Sequence, residues 1–327
     1  MPVYNAAAVV DRAIRSIVRQ TLTDWELIAV DDGSTDGTED ILAEWARRES
    51  RVQPLYAQHC GIVDALNAGI ETARAPFIAR MDADDESLPT RLAEQLSFLE
   101  QHPEIGLVSS LVEFGGDAVV GEGYALHVDW TNTIRSTEDI ALNRFIESPF
   151  AHPSALFRRD LVAKYGGYQN GSFPEDFELW LRWLDAGVLM SKVPNMLLRW
   201  NDSPARLSRS NNRYSSEAFY RCKAKYLARW LQQHAQERPI IVWGAGRPTR
   251  KRAEYLVQHG IAISAYVDVD PDKQAAAIGS RPVLPPDEIP KDAFVLSYVA
   301  NRGARELIRE QLRSMARVEG RDFLMAA

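Results

Sequence analysis

The sequence predicts an α/β protein built from two domains. Two observations carry that prediction: helix-period and strand-like segments alternate from the start of the chain, and the same pattern begins again after Pro239. Such alternation is typical of mostly parallel sheets with helices on both faces. The chain has 327 residues, of which 46% are hydrophobic and 25% charged, so it can bury two hydrophobic cores.

The elements of the first domain follow from periodicity. Val10, Ile14 and Ile17 recur at helical spacing, and apolar strands of about five residues follow at 26–30, 52–56 and 77–81. Between these strands, residues 36–45 and 62–70 carry helical patterns. The glycine-rich stretch 114–137 is predicted to form loops or hairpins.

A long helix over about residues 213–233 is predicted to connect the two domains, and a strand begins at Ile240. We therefore expect one domain over residues 1–237 and a smaller one over 238–327, able to fold separately.

Gly244 and Gly246 follow the strand that begins at Ile240 and form half of a dinucleotide-binding fingerprint, and Asp268 ends the next strand. The second domain therefore resembles a Rossmann-like accessory domain, in which these residues either contact a nucleotide or have a purely structural or interaction role.

Composition excludes several classes of function. The formal net charge is −7 and basic residues are scattered along the sequence, which argues against a nucleic-acid partner. The two cysteines indicate neither a disulfide framework nor a thiolate zinc site, and they favour a reducing cytosol. Apolar runs are shorter than the roughly 20 residues of a membrane span, and no signal sequence begins the chain. We expect a cytoplasmic protein with at most peripheral membrane contact.

Two acidic clusters follow predicted strands. Asp31 and Asp32 come directly after the first, and Asp82 to Asp85 come after the strand at 77–81. Ligands of parallel α/β sheets bind beyond the carboxyl ends of the strands, where these side chains are expected. Carboxylates that share a cleft with phosphate oxygens suit Mg²⁺ or Mn²⁺. The alternative for Asp82-Ala83-Asp84 is an acidic turn that only faces solvent.

Four segments in this order resemble the family 2 glycosyltransferases, which have the GT-A fold. They are Pro2-Val3-Tyr4-Asn5, Val30 to Asp36, Asp82-Ala83-Asp84-Asp85 and Pro174 to Trp180. The resemblance covers about residues 1–207. It implies an enzyme that moves a sugar from a nucleotide diphosphate donor with the help of Mn²⁺ or Mg²⁺.

The resemblance also implies roles for residues of the donor site. Pro2 and Tyr4 would lie against the nucleotide base, and Asp32 would accept a hydrogen bond from a base N–H group. Asp82 would lie near the ribose and, with Asp84, at the metal. Phosphate contacts are expected from Arg199. The resemblance further suggests acceptor or phosphate contacts from His152 and Arg206, although a lone histidine is more often structural.

An inverting transfer needs a general base that removes the acceptor hydroxyl proton. The resemblance assigns that role to Asp176, with Glu175 in reserve. A local alternative exists, because two carboxylates after Pro174 also suit the first turn of a helix without any catalysis.

The predicted function is a metal-dependent, inverting and non-processive transferase. UDP sugars are favoured as donors by resemblance, and the acceptor is predicted to be a glycan or lipid-linked saccharide of a bacterial surface polymer. The Gln-x-x-Arg-Trp motif of processive relatives is missing, because Met196 stands at the Gln position. The family has further strand residues before Pro2, so the chain is expected to start late or to have a clipped strand.

Two other functions remain possible from sequence. One is a nicotinamide-dependent oxidoreductase built around Gly244 and Asp268. The other is a nucleotide-sugar binding module without catalysis.

Overall fold

A computed structural model describes residues 1–117, 121–202, 206–274, 277–301 and 303–327. The chain forms two compact units. The first comprises residues 1–140, 149–171 and 182–211, and the second comprises 141–148, 172–181 and 212–327. The predicted boundary after residue 237 falls inside the second unit, which includes the long helix.

The strands and helices that begin in the first unit alternate as the periodicity predicted. The strands are β1 (Pro2–Val3), β2 (Leu27–Asp31), β3 (Val52–Tyr56), β4 (Phe77–Ala79), β5 (Glu86–Ser87), β6 (Ile105–Phe114), β7 (Leu156–Arg158) and β8 (Leu189–Trp200). The helices are α1 (Val10–Val18), α2 (Thr38–Arg48), α3 (Ile62–Thr72), α4 (Arg91–Gln101), α5 (Glu122–Thr133), α6 (Thr137–Asn143) and α7 (Asp160–Tyr165). After α8 (Glu175–Asp185), which begins in the second unit, α9 (Leu207–Ser210) returns to the first.

Two sheets form the first unit among the described residues. The strands β1, β2 and β3 lie side by side in that order and are parallel. The other sheet has the order β4-β7-β6-β8-β5, in which β6 and β8 are parallel and the remaining pairs are antiparallel. Because parallel strands end at the same edge, the loops after β1, β2 and β3 meet there.

One apolar cluster is shared by elements of both sheets. Val10 and Ile14 of α1 are fully buried together with Ala29 of β2 and Leu198 of β8. The helical spacing of the apolar residues places them on one face of α1, and this face packs against residues of both sheets.

The second unit contains a separate six-stranded sheet. Its elements are α8 (Glu175–Asp185), whose last residues belong to the first unit, α10 (Ser216–His234), β9 (Ile240–Trp243), α11 (Arg247–Gln258), β10 (Ile263–Val267), α12 (Pro271–Gln274), β11 (Ala277–Ile278), β12 (Arg281–Leu284), β13 (Phe294–Ser297), α13 (Ala304–Ser314) and β14 (Phe323–Met325). The order is β11-β12-β10-β9-β13-β14, and every pair except β11 with β12 is parallel. This order reverses between β9 and β13, as in doubly wound folds.

The core of the second unit includes the long helix. Tyr226, Leu227 and Leu231 of α10 are buried in one cluster with Val242 and Phe294 of the sheet. The helix therefore belongs to this core rather than forming a free connection.

One local prediction was wrong. Residues 114–137 were expected to form loops or hairpins, but α5 occupies Glu122–Thr133. The glycines that suggested loops lie before this helix or in its first turn, and residues 118–120 lie outside the described residues. In the described part of the chain no helix combines the length and the apolar character that crossing a bilayer requires.

Candidate functional site

The acidic turn between β4 and β5 brings three carboxylates together. One oxygen from each of Asp82, Asp84 and Asp85 lies within 4.8 Å of the others. Burial and the neighbouring Asp82 raise the pKa of the Asp84 carboxyl above its usual value. A divalent cation would relieve the repulsion between these charges, and an all-oxygen donor set suits Mg²⁺ or Mn²⁺.

Asp85 supports the metal interpretation most directly. Its side chain is buried, and Oδ1 accepts a hydrogen bond of 2.8 Å from the Asn201 backbone N–H. Oδ2 is also buried, and the described residues provide no hydrogen-bond partner for it. Burial, followed by Asp82 and Asp84, raises the pKa of this carboxyl well above its usual value. A buried carboxylate oxygen without a partner is costly, so the turn fits a cation better than it fits solvent.

A buried arginine supports both sides of the acidic turn. The Arg91 guanidinium donates to the Arg80 carbonyl at 2.7 Å, before the turn, and to Ser87 Oγ at 2.8 Å, after it. It also donates to Gln95 Oε1 at 3.0 Å. Burial lowers the pKa of this guanidinium to about 9. Sequence reasoning missed Arg91, although its place at the start of α4 was visible.

A second buried arginine links the turn to His152. Arg80 donates to Asp82 Oδ1 at 2.6 Å and to His152 Nε2 at 3.1 Å, and the Tyr168 hydroxyl lies 2.7 Å from the same nitrogen. Burial and the Arg80 charge lower the pKa of His152 well below its ordinary value. His152 is thus a buried neutral link, and the structure brings it to Asp82 through Arg80.

The end of β8 closes another side of the turn. The Asn201 amide and Arg12 both donate to the Asp84 carbonyl, at 2.8 and 3.0 Å. A Cβ on Gly115 would lie 2.3 Å from Asn201 Oδ1, so only glycine permits this close approach of the loop after β6.

Two arginines were predicted to contact the donor phosphates. Arg199 lies near the end of β8, and Arg206 follows that strand. Arg199 is exposed and pairs in register with Glu86, directly after the acidic turn. Arg206 lies over the rings of Tyr124 and Trp200, at 4.5 and 4.7 Å. Asp202, just after β8, accepts from Arg209 at 2.7 Å.

The residues predicted for the base lie at the carboxyl edge of the parallel sheet. Pro2 pairs with Val30 of β2, and the exposed Tyr4 ring stacks on His59 with 4.2 Å between centroids. The Asp32 carboxylate accepts from the backbone N–H groups of Cys60 and Gly61 at 2.8 and 3.0 Å, and His59 Nδ1 lies 2.8 Å from Oδ2. The Gly61 N–H also lies 3.3 Å from Oδ1, so both carboxylate oxygens are held by the loop after β3.

His59 was not predicted. It lies in the loop after β3. Because ligands bind beyond the carboxyl ends of parallel strands, its position after a third predicted strand could have identified it.

The predicted general base lies at the start of α8, in the second compact unit. Glu175 is buried, and its carboxylate accepts from the Tyr214 hydroxyl at 2.8 Å, with Arg213 Nη1 at 3.5 Å. Asp176 is only partly buried and accepts from the Phe177 N–H at 2.7 Å. Both carboxylates therefore lie in the first turn of a helix. Glu175 is in addition held by Tyr214 and Arg213, which the sequence did not reveal.

Gly244 and Gly246, which match half of a dinucleotide-binding fingerprint, lie in a tight loop of the second unit. Gly244 has φ of +106°, and a Cβ there would meet Thr249 and Val299 at 2.9 Å. Asp268 accepts from the Ala245 N–H at 2.8 Å and lies 3.3 Å from Lys273 Nζ. Gly246 precedes α11 as its N-cap.

Comparison with solved structures agrees with the fold. Two solved structures are similar: the mannosyltransferase PcManGT of Pyrobaculum calidifontis with GDP-Man and Mn²⁺, and TarS 1-349 of S. aureus with UDP-GlcNAc. Their TM-scores are 0.51 and 0.53, at 19% and 17% identity. The match covers 78% of this chain and 68% of PcManGT, and 79% of this chain and 69% of TarS 1-349. The likeness shows that the chain has the GT-A fold.

The family assignment follows from sequence. Residues 1–166 match Glycosyl transferase family 2, and the chain belongs to this family. It is 31% identical over 191 residues to the amylovoran biosynthesis glycosyltransferase AmsE of Erwinia amylovora, covering 58% of this chain and 69% of AmsE. It is 30% identical over 243 residues to the O-antigen biosynthesis glycosyltransferase WbnJ of Escherichia coli, covering 71% of this chain and 88% of WbnJ.

Proposed function

We propose that this glycosyltransferase is a metal-dependent, inverting enzyme that transfers single sugars from a nucleoside diphosphate sugar. The observation that carries the proposal is the acidic turn, in which a buried oxygen of Asp85 has no hydrogen-bond partner among the described residues. Asp82, Asp84 and Asp85 would hold Mn²⁺ or Mg²⁺. When bound, that ion would neutralise the diphosphate of the donor and assist its departure.

Side chains of the first unit are proposed to bind the donor. Tyr4, Pro2 and Asp32 would contact the base, and we add His59 because its ring stacks on Tyr4. Arg199 and Arg206 are proposed to contact the phosphates. Uridine is the proposed base, by resemblance.

Asp176 is the proposed general base, which would take the proton from the acceptor hydroxyl as its oxygen attacks the anomeric carbon. Glu175 is the weaker candidate, because Tyr214 and Arg213 engage its carboxylate. The acceptor is proposed to be a glycan or lipid-linked saccharide, in keeping with the amylovoran and O-antigen biosynthesis that the names of AmsE and WbnJ mention. The proposed location is the cytoplasm, with the enzyme peripheral on the inner face of the membrane.

The accessory nucleotide site at Gly244, Gly246 and Asp268 stays a prediction. The contacts of Asp268 with Ala245 and Lys273 would compete with a ribose hydroxyl, so no observation favours the oxidoreductase. Titration with NADH, compared with UDP in the presence of Mn²⁺, distinguishes the two functions. Donor hydrolysis distinguishes an enzyme from a binding module.

The proposal is tested by Asp84→Asn, with Asp24→Asn as a control because Asp24 is exposed in the loop between α1 and β2. Losing one carboxylate should abolish transfer and remove the Mn²⁺ dependence of UDP binding, while circular dichroism stays unchanged. Calorimetry with UDP and Mn²⁺ measures the effect. Equal UDP affinity in the wild type and in Asp84→Asn would remove Asp84 from the metal site.

A further inference from the structure

Two helices of the second unit concentrate positive charge in an acidic chain. The chain as a whole has a net charge of −7, yet α10 and α11 each contain four Lys or Arg residues and only one Glu. Both helices lie wholly in the described part of the chain. The exposed cations are Arg221, Lys225, Arg229, Arg247, Arg250 and Lys251. We call this set the basic face.

The basic face is continuous, because α10 and α11 pack together. Glu217 of α10 accepts from Lys251 at 2.5 Å and from the Tyr255 hydroxyl at 2.6 Å. The Arg252 guanidinium lies 4.2 Å from the centre of the Tyr220 ring. These contacts hold the two rows of cations beside each other.

The spacing of the cations on α10 shows a single exposed row. Arg221, Lys225 and Arg229 are four residues apart and extend over about 12 Å of helix. Every residue between them is buried, and several belong to the core of the second unit. The row is therefore fixed to a rigid element, which favours a flat charged surface over a mobile tail.

An ordinary solvated helix face would mix both signs of charge. On these two helices two glutamates, Glu217 and Glu254, accompany the six exposed cations, and Glu217 is shared between Arg221, Lys251 and the Tyr255 hydroxyl. A cluster with this imbalance attracts an extended anionic surface.

The character of the face indicates which anionic partner it fits. Neither α10 nor α11 exposes a large hydrophobic side chain, so the face suits electrostatic contact without insertion. Among the described residues the exposed aromatic side chains are Tyr4 and Tyr56, both in the first unit, so the face offers no platform for stacking nucleic-acid bases. An acidic phospholipid surface needs only the charge.

We propose that the basic face of α10 and α11 docks the protein on an anionic lipid bilayer. Each cation near such a surface strengthens binding about fivefold, which corresponds to ~1 kcal/mol. The proposal rests on charge and placement and goes beyond the transfer reaction, although a lipid-linked acceptor would lie at the same surface.

The experiment is co-sedimentation of the full-length protein with vesicles of phosphatidylcholine alone or with one quarter phosphatidylglycerol. We expect binding only to the anionic vesicles and release by 0.5 M NaCl, because salt screens such contacts. Replacing Lys225, Arg247 and Arg250 together by Gln should weaken binding roughly 100-fold. The matched control replaces Arg19, Arg47 and Arg48, which are exposed on or beside α1 and α2, by Gln.

Three results would overturn the proposal: equal binding to both vesicles, an equal loss in the control variant, or binding of single-stranded RNA without vesicle binding. Donor hydrolysis without vesicles is measured on each variant and should not change. If the wild type hydrolyses no donor yet binds anionic vesicles, the proposed function fails while the docking surface stands.

Discussion

Asp85 and Arg91 show how single buried charges shape the acidic turn. One carboxylate oxygen of Asp85 is buried without a partner among the described residues. The Arg91 guanidinium donates hydrogen bonds to the backbone and side chains that flank the turn. The buried oxygen of Asp85 costs stability in a folded chain without a ligand, whereas the hydrogen bonds of Arg91 fix the chain on both sides of the turn. Both make sense if the turn holds a fixed set of carboxylates for a cation.

The first residue-scale prediction concerns Arg91. Arg91→Lys keeps the charge but loses the forked hydrogen bonds to the Arg80 carbonyl and Ser87, so we expect a loss of about 1.5–3 kcal/mol of stability per lost bond. UDP binding with Mn²⁺ should weaken as well, because the turn loses its support. Denaturant unfolding and calorimetry measure both effects, with exposed Arg47→Lys as the control. Full UDP affinity in a destabilised Arg91→Lys would limit Arg91 to a structural role.

The second residue-scale prediction separates the two carboxylates of α8. Asp176→Asn should keep donor binding while turnover falls by roughly 10²-fold or more, because only basicity is lost. Glu175→Gln should instead lower stability, since Tyr214 and Arg213 lose their charged partner. Steady-state kinetics and thermal melts measure these effects. Normal turnover of Asp176→Asn would shift the proposed base to Glu175.

At the scale of elements, β8 carries a buried lysine. Lys192 Nζ donates to the Thr131 carbonyl at 2.5 Å, and burial lowers its pKa to about 7. In the unfolded chain the pKa returns to about 10.4. Between these two values the unfolded state binds more protons than the folded state, so stability rises with pH.

We therefore predict a pH-dependent difference between the wild type and Lys192→Met. Below pH 7 the wild type bears the full cost of the buried ammonium, and the variant should gain most there. From pH 7 to 9 that gain should shrink by about 1.4 kcal/mol per pH unit. Urea unfolding at pH 6, 7, 8 and 9 measures the difference. A constant difference across this range would mean that Lys192 does not titrate there.

At the scale of the whole molecule, the two compact units differ from the predicted domains in the placement of α10. Tyr226, Leu227 and Leu231 are buried against the sheet of the second unit. Each such side chain contributes about 1.5–3 kcal/mol when buried. A cut near Glu237 would leave this face of α10 without its sheet, so we expect the fragment to expose apolar surface.

The corresponding prediction compares two fragments. The chain ending at Glu237 should aggregate or bind a hydrophobic dye, and the chain ending at Asn211, which also lacks α10, should do so less. Gel filtration and dye fluorescence provide the measurement, with the full-length protein as reference. A monomeric 1–237 fragment that melts at the temperature of the full chain would show that α10 does not depend on the second sheet.

The sequence by itself determined the alternation of elements, the family and the placement of the acidic turn after a strand. These are local properties: apolar spacing sets helices and strands, and short motifs such as Asp82 to Asp85 are contiguous. The wrong prediction at α5 shows the limit of that approach, because glycines before a helix resemble glycines in a loop.

Tertiary structure alone decided which distant side chains support the site. Arg91 reaches Arg80, and Arg80 reaches His152, 72 positions away. Side-chain spacing along the sequence contains no information on such contacts, because they depend on how strands are ordered across a sheet. For the same reason, only the packing of α10 beside α11 shows that cations scattered along the sequence form one face.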